Sequence, residues 1–302
     1  MAQNLIDLRR RIRAVKDTQK TTKAMKTVSA AKLRRSVTEL NRTQPIMEKI
    51  ISLLNRVGKS PNIAAQRESH PFLKARESGH TVMVVISADK GLCGAFNSHL
   101  LEKAQDHYQE RLKEEGDNLS LVTAGNKAFK HFKKRNYPLK RDYHSIMGRL
   151  KYSHALDLSK YLQELYLNPV EEIKRIEFVF TQYVSASRQE LTVRPLFPIP
   201  FSWQGKEDGL DSEDDDLEYI FEPSAEEIFK ALLPKYINSL VYQILLQSAA
   251  SEHAARMVAM ELASQNASDM IRNLTLTLNK VRQASITGEL LEIITATEAL
   301  TK

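Results

Sequence analysis

Cysteine is nearly absent from this chain of 302 residues; Cys93 is the single one. One thiol can form neither an intramolecular disulfide nor a cysteine-based zinc site, which points to a reducing, intracellular setting. Long apolar runs are missing as well. No stretch of about 18 uncharged apolar residues exists, so no membrane-spanning helix is expected. The eight histidines show no HExxH or other paired-ligand spacing, and no metal or cofactor is expected. Neither GxGxxG nor GxxxxGK[ST] occurs, so a phosphate-cradling loop of either kind is excluded. The first 13 residues bring arginines ahead of any apolar stretch and include Asp7, unlike a secretory leader. The mature protein is therefore expected to begin at this N-terminus.

Proline and glycine are scarce at both ends. No proline precedes Pro45, no glycine precedes Gly58, and beyond Pro234 the only breaker is Gly288. An interior proline costs a helix about 3 kcal/mol and a glycine about 1, so the pattern predicts two long helices, over residues 3–56 and 235–300. At about 1.5 Å per residue they would be on the order of 80 and 100 Å long, too long for a compact domain. Isolated helices draw most of their stability from a packed face, so each needs a partner along its length. In the C-terminal stretch, steps of four and three from Leu246 give Ala250, His253, Met257, Met260, Ser264, Ala267, Ile271, Leu274, Leu278, Val281, Ser285 and Gly288. The N-terminal stretch begins a matching stripe with Leu5, Leu8, Ile12 and Val15, turns polar at Gln19 and Thr22, and resumes at Met25 and Val28. Such heptads predict an antiparallel coiled coil, with Ile12 near residues 278–288. Small residues in the stripe bury little area at about 25 cal/mol per Å², so the rod is expected to need support from outside.

Between the helices strand and helix alternate. Residues 81–87 (TVMVVIS) form an apolar, β-branched run suited to a buried parallel strand. Further strands are expected at 119–124, 137–142, 175–184 and 190–197, the last ended by Pro195, Pro198 and Pro200, with helices at 95–114, 127–134 and 153–167. This predicts a central Rossmann-like α/β domain, a largely parallel sheet with covering helices. The domain plan is an N-terminal coiled-coil helix (1–58), a linker (59–79), the α/β domain (80–205), an acidic loop (206–223) and a C-terminal coiled-coil helix (224–302). The acidic run at 207–218 carries eight carboxylates and reads as a solvated loop.

The turn from Asp89 to Gly94 stands where an α/β fold would bind phosphate, but its glycines are better explained by a tight strand-to-helix turn. Cys93 fits a small packed side chain better than a nucleophile, since no His or Asn partner follows from spacing. No catalytic constellation emerges. Charge says more. The first 36 residues hold eleven basic side chains against Asp7 and Asp17, a net of +9 that exceeds the +7 of the whole chain. An acidic partner is implied, whether nucleic acid, anionic lipid or protein. Residues 1–56 contain no Phe, Tyr or Trp for base stacking, which weighs against a basic coiled-coil nucleic-acid binder without removing it.

Three segments resemble the γ subunit of F-type ATP synthases: RRRIRAVKDTQKTTKAMKTVSAAKLRR (9–35), SADKGLCGAFN (87–97) and ARMVAMELASQNASDMIRNLTLTLNKVRQASITGELLEI (255–293). Ile286, Thr287, Glu289 and Glu292 stand as in that family, while its usual Gly-Ala pair is Ala296-Thr297 here. The resemblance implies a central-stalk rotor inside an α3β3 hexamer, with its α/β domain against an ε subunit and a membrane c-ring. It implies no catalytic residue or cofactor of its own, and a peripheral place on the cytoplasmic face of a bacterial plasma membrane. It further implies contacts with β subunits through Lys23, Met25 and Lys26 and through Arg282 and Gln283. The paired-cysteine insert of redox-regulated photosynthetic members is missing.

Overall fold

The computed structural model describes residues 2–58, 70–116, 119–199 and 221–300. Residues 59–69 of the expected linker, Pro200 and the acidic run at 207–218 lie outside the described residues. Helix α1 spans Ala2–Gly58 and α5 spans Ala225–Leu300. The chain divides into two compact units, Met1–Ala30 with Arg256–Lys302, and Ala31–Ala255.

Both long helices exceed their expected bounds, and each contains a proline, Pro45 in α1 and Pro234 in α5. The helix expected to begin at residue 235 begins ten residues earlier. Ser224 caps it, its hydroxyl accepting the Glu227 N–H at 3.2 Å. Ser224-Ala225-Glu226-Glu227 fits the S-x-x-E start signature. Pro234 is tolerated because Phe229, Leu233, Tyr236 and Ile237 around it are buried. At about 1.5–3 kcal/mol per buried side chain, that packing outweighs a proline's cost of about 3 kcal/mol.

The larger unit is built on a five-stranded sheet ordered β3-β2-β1-β4-β5. The strands are β1 (His80–Ile86), β2 (Leu119–Ala124), β3 (Leu139–Tyr143), β4 (Ile173–Tyr183) and β5 (Gln189–Phe197). The first four run parallel, and β5 pairs antiparallel with β4. Between them lie α2 (Phe96–Glu115), α3 (Asn126–Lys134) and α4 (Tyr152–Leu167). Strand alternation sends Val82, Val84, Ile86, Phe178 and Phe180 into one core, shared with α4, the end of α1 and the first turns of α5. Met83, Val85, Leu121 and Val179 enter a second core with α2 and α3. Helices therefore cover both faces, which is why β1 and β2 read as nearly unbroken apolar runs.

Two local differences have physical causes. Pro195 lies inside β5, not at its end; on an edge strand the missing N–H can face away from the ladder. Tyr137, expected to open the third strand, instead packs its ring edge-on against Tyr108 at 4.7 Å and Phe132 at 5.1 Å, and β3 begins at Leu139.

One charge cluster is enclosed by the sheet and α2. Glu177 accepts from Arg111 at 2.7 Å and from Arg175 at 3.2 Å, and pairs with His107 at 2.8 Å. Burial acts to raise the Glu177 pKa, but the hydrogen bond to His107 and the charges of Arg111, His107 and Arg175 outweigh it and hold the carboxyl below its ordinary value.

Candidate partner-contact site

In the smaller unit the heptad stripe of α5 faces inward: Met260 and Ala267 are buried, and Ile271, Leu274, Leu278, Val281, Ser285 and Gly288 are half-buried. On α1 the buried positions are Leu8, Ile12, Thr22 and Ser29. The polar seam positions are real. Thr22 turns its hydroxyl onto the Gln19 carbonyl at 3.0 Å, which lets it sit inward without an unmet donor. Val28, expected in the stripe, is instead 57% exposed, and Ser29 takes the inward place at 3%. A step of seven from Thr22 gives Ser29, so the small residue follows the period and Val28 does not.

Lys26 Nζ reaches Glu261 Oε1 at 2.6 Å. Both side chains are partly exposed, so the pair is worth about 0–1 kcal/mol, but it marks the register. In antiparallel helices the paired residue numbers then sum to near 287, which sets Ile12 level with residue 275, between Leu274 and Leu278. That is about one turn nearer the start of α5 than the range 278–288. Cysteine at Ile12 paired with cysteine at Leu274 or Leu278 is expected to form a disulfide readily on mild oxidation. Formation only with a cysteine at Leu246 would mean a different register.

The five expected contact residues fall at two levels of this unit. Lys23 is exposed, Met25 is half-buried and Lys26 is engaged with Glu261. Arg282 and Gln283 are both exposed and lie off the stripe. By the same register they stand level with residues 4–5, more than four helical turns from Lys23–Lys26. No hydrogen bond or ion pair among the described residues engages the Arg282 or Gln283 side chain.

A feature that sequence reading did not single out is the uncovered apolar surface around them. Of the eighteen large apolar side chains exposed among the described residues, eleven belong to the smaller unit. Val258, Leu262, Met270 and Leu276 lie outside the stripe, and Ile286, Leu290, Leu291, Ile293 and Ile294 crowd the end of α5 at 50–62% exposure. Contiguous apolar surface of this kind marks an interface. The signal was present in the sequence as leucines and isoleucines on both sides of the heptad stripe.

The end of the sheet where an α/β fold would bind phosphate is occupied by the chain itself. A helix begins with four backbone donors that lack helical acceptors. At α3 the Gly125 N–H goes to the Tyr143 carbonyl at 2.8 Å, Asn126 to Asp89 Oδ1 at 3.1 Å, Lys127 to the Ala88 carbonyl at 3.1 Å, and Ala128 to Ser87 Oγ at 2.8 Å. Cys93 is buried as a small packed side chain, with its sulfur 3.0 Å from Asn97 Nδ2. The described residues contain no group of three or more His, Cys, Asp or Glu able to hold a metal ion. No helix among them is long and apolar enough to cross a membrane.

Paired helices with an uncovered apolar surface, alongside an α/β domain whose phosphate end is filled from within, define a protein built to be covered by partners. The family model for ATP synthase matches residues 4–300. The ATP synthase gamma chain of Pelotomaculum thermopropionicum is 40% identical over 297 residues, covering 98% of this chain and 99% of that one. The gamma chain of Geotalea uraniireducens is 37% identical over the same shares. The chain belongs to the ATP synthase gamma chain family. In fold it is similar to a chain in the Euglena gracilis mitochondrial ATP synthase OSCP/F1/c-ring structure in rotational state 3, with a TM-score of 0.67 at 21% identity, covering 99% of this chain and 95% of that one. A chain of the rotor of the same enzyme in rotational state 1 gives a TM-score of 0.61 at 19% identity over 95% of this chain and 100% of that one. The nucleic-acid-binding reading finds no support among these relatives.

Proposed function

We propose that this chain is the central-stalk rotor of the F1 sector of a proton-translocating ATP synthase, with no catalytic residue of its own. The observation that carries this reading is the uncovered apolar surface of the smaller unit in a chain of the gamma family. Its paired helices stand within an α3β3 hexamer, and its α/β domain meets the ε subunit and the membrane c-ring. It is peripheral, on the cytoplasmic face of a bacterial plasma membrane, and holds to the membrane through its partners only. The Euglena gracilis structures, one of a rotor and one of an OSCP/F1/c-ring assembly, support the association with F1 and a c-ring. One asymmetric shaft cannot touch three equivalent sites alike. Its rotation therefore shifts their relative affinities through differential contact, which is what coupling requires.

Lys23, Met25 and Lys26 meet one acidic level of the β subunits, and Arg282 and Gln283 meet a loop at another. Arg282 can grip a carboxylate with a bidentate fork, and Gln283 can donate and accept at once. Met25→Lys is expected to leave assembly intact and to impair coupling, because an added cation strengthens attachment in some rotary positions and not in others. The check is the ratio of protons pumped to ATP hydrolysed in inverted vesicles; an unchanged ratio removes Met25 from the contact. The whole reading is tested by native mass spectrometry of the complex purified from its host. One copy of this chain with three copies each of two larger chains is expected. Isolation as a free chain or with nucleic acid would overturn it.

A further inference from the structure

We propose that the Asp89 carboxylate is a built-in anion, standing where an α/β fold of this kind would hold a bound oxyanion. Removing it should turn the closed end of the sheet into an anion site. Three backbone N–H groups from two segments, the start of α3 and the loop 145–148, converge on this one side chain. Asn126, the first residue of α3, and Ser145 both donate to Oδ1, at 3.1 and 2.9 Å, and Gly148 donates to Oδ2 at 3.0 Å. Converging main-chain donors at a helix start are the arrangement that captures phosphate or carboxylate elsewhere. Here the anion arrives on the turn after the neighbouring strand β1.

The backbone around Asp89 is shaped for that convergence. Ser145 takes a left-handed φ of 64°, which aims its N–H at the carboxylate. Gly125 has φ 103°, and a Cβ there would stand 2.1 Å from the Ser87 carbonyl oxygen, so α3 can approach the β1 turn this closely only with glycine at that point. Neighbouring bonds close the remaining donors: Ala88 N–H goes to Asn97 Oδ1 at 3.1 Å, and the next two N–H groups of α3 go to Ala88 and Ser87. Asp89 thus ties the turn after β1, the start of α3 and the loop 145–148 into one block. Its charge also complements the positive end of α3.

The test uses the purified full chain, with wild type, Asp89→Ala and Asp89→Asn compared in sodium formate and in sodium chloride of equal ionic strength. Formate replaces the carboxylate that alanine lacks. Asp89→Ala is expected to melt about 4 °C or more below wild type in chloride. Formate should recover at least half of that loss and produce saturable amide NMR shifts at Asn126, Ser145 and Gly148. Wild type should show neither response, because its own carboxylate fills the place. Asp89→Asn, which keeps one acceptor oxygen but no charge, should melt between the two and ignore formate. The proposal is overturned if wild type and Asp89→Ala respond to formate alike, or if Asp89→Ala melts at the wild-type temperature. Should the alanine variant be too unstable to purify, a wild-type melting temperature for Asp89→Asn overturns it equally, and a lowered one supports it.

Discussion

Replacing Arg282 and Gln283 together by leucine is expected to leave the complex assembled and to slow ATP synthesis and hydrolysis alike, by about tenfold or more. Both side chains are exposed, off the packed stripe and without a partner among the described residues, so the helix does not depend on them. Leucine is a good helix former, and surface substitutions of this kind change stability by only about 0.5 kcal/mol. What the variant removes is a guanidinium fork and an amide that can meet a passing loop. Losing one or two charge-assisted hydrogen bonds costs roughly 1 to 3 kcal/mol each, and about 1.4 kcal/mol corresponds to a factor of ten in rate. Wild-type rates of both reactions in an assembled double variant would remove this pair from the contact.

Glu177→Ala is the second large expectation, and it concerns stability. With the carboxylate gone, Arg111 keeps Glu114 at 2.8 Å and His107 keeps Glu110 at 3.7 Å, but all three side chains lose their one buried acceptor and Arg175 is left without this partner. Breaking a buried pair in this way typically costs about 3–5 kcal/mol. Urea unfolding of the purified chain at pH 7 is expected to reveal that loss; a difference under about 1 kcal/mol would mean that water already relieves the cluster. The pH dependence has a definite sign. Because the Glu177 pKa is lowered in the folded state, its contribution is fully present above the ordinary carboxylate value of 4.5 and is lost as pH falls through the folded value. The gap between wild type and variant should therefore narrow below about pH 4.5.

The strands and the two long helices were legible because their residues obey strong patterns. Residues 119–124 needed nothing but a nearly unbroken apolar run, and the heptad positions from Met260 to Gly288 nothing but steps of three and four. The domain plan set the C-terminal helix at 224, but the reading from breakers began it at residue 235 because Pro234 outranked the Ser224 cap, whereas the buried Phe229 and Tyr236 that override the proline belong to tertiary packing. Val28 and Ser29 exchanged places for a related reason: in sequence the valine looks like core, but a close seam accepts the small residue at the inward position. The contact residues came from family resemblance rather than from spacing. The gathering of Arg111, Arg175 and His107 on Glu177 was hidden altogether, since residues 107 and 177 meet only through the sheet. Asp89 was visible as part of a turn, but three donors from residues 126, 145 and 148 could not be inferred from a local pattern.

The most direct test of the rotor reading is to watch the chain turn. A bead attached to the α/β domain through a biotinylated cysteine at Ser98, exposed on α2, would be followed in a complex immobilised by its other subunits and supplied with ATP. Cys93 is buried and competes little for the label. The account predicts one-directional rotation with three equally spaced dwells per turn, one for each catalytic site. Sustained ATP hydrolysis by the same complexes with the bead stationary or moving at random would contradict it.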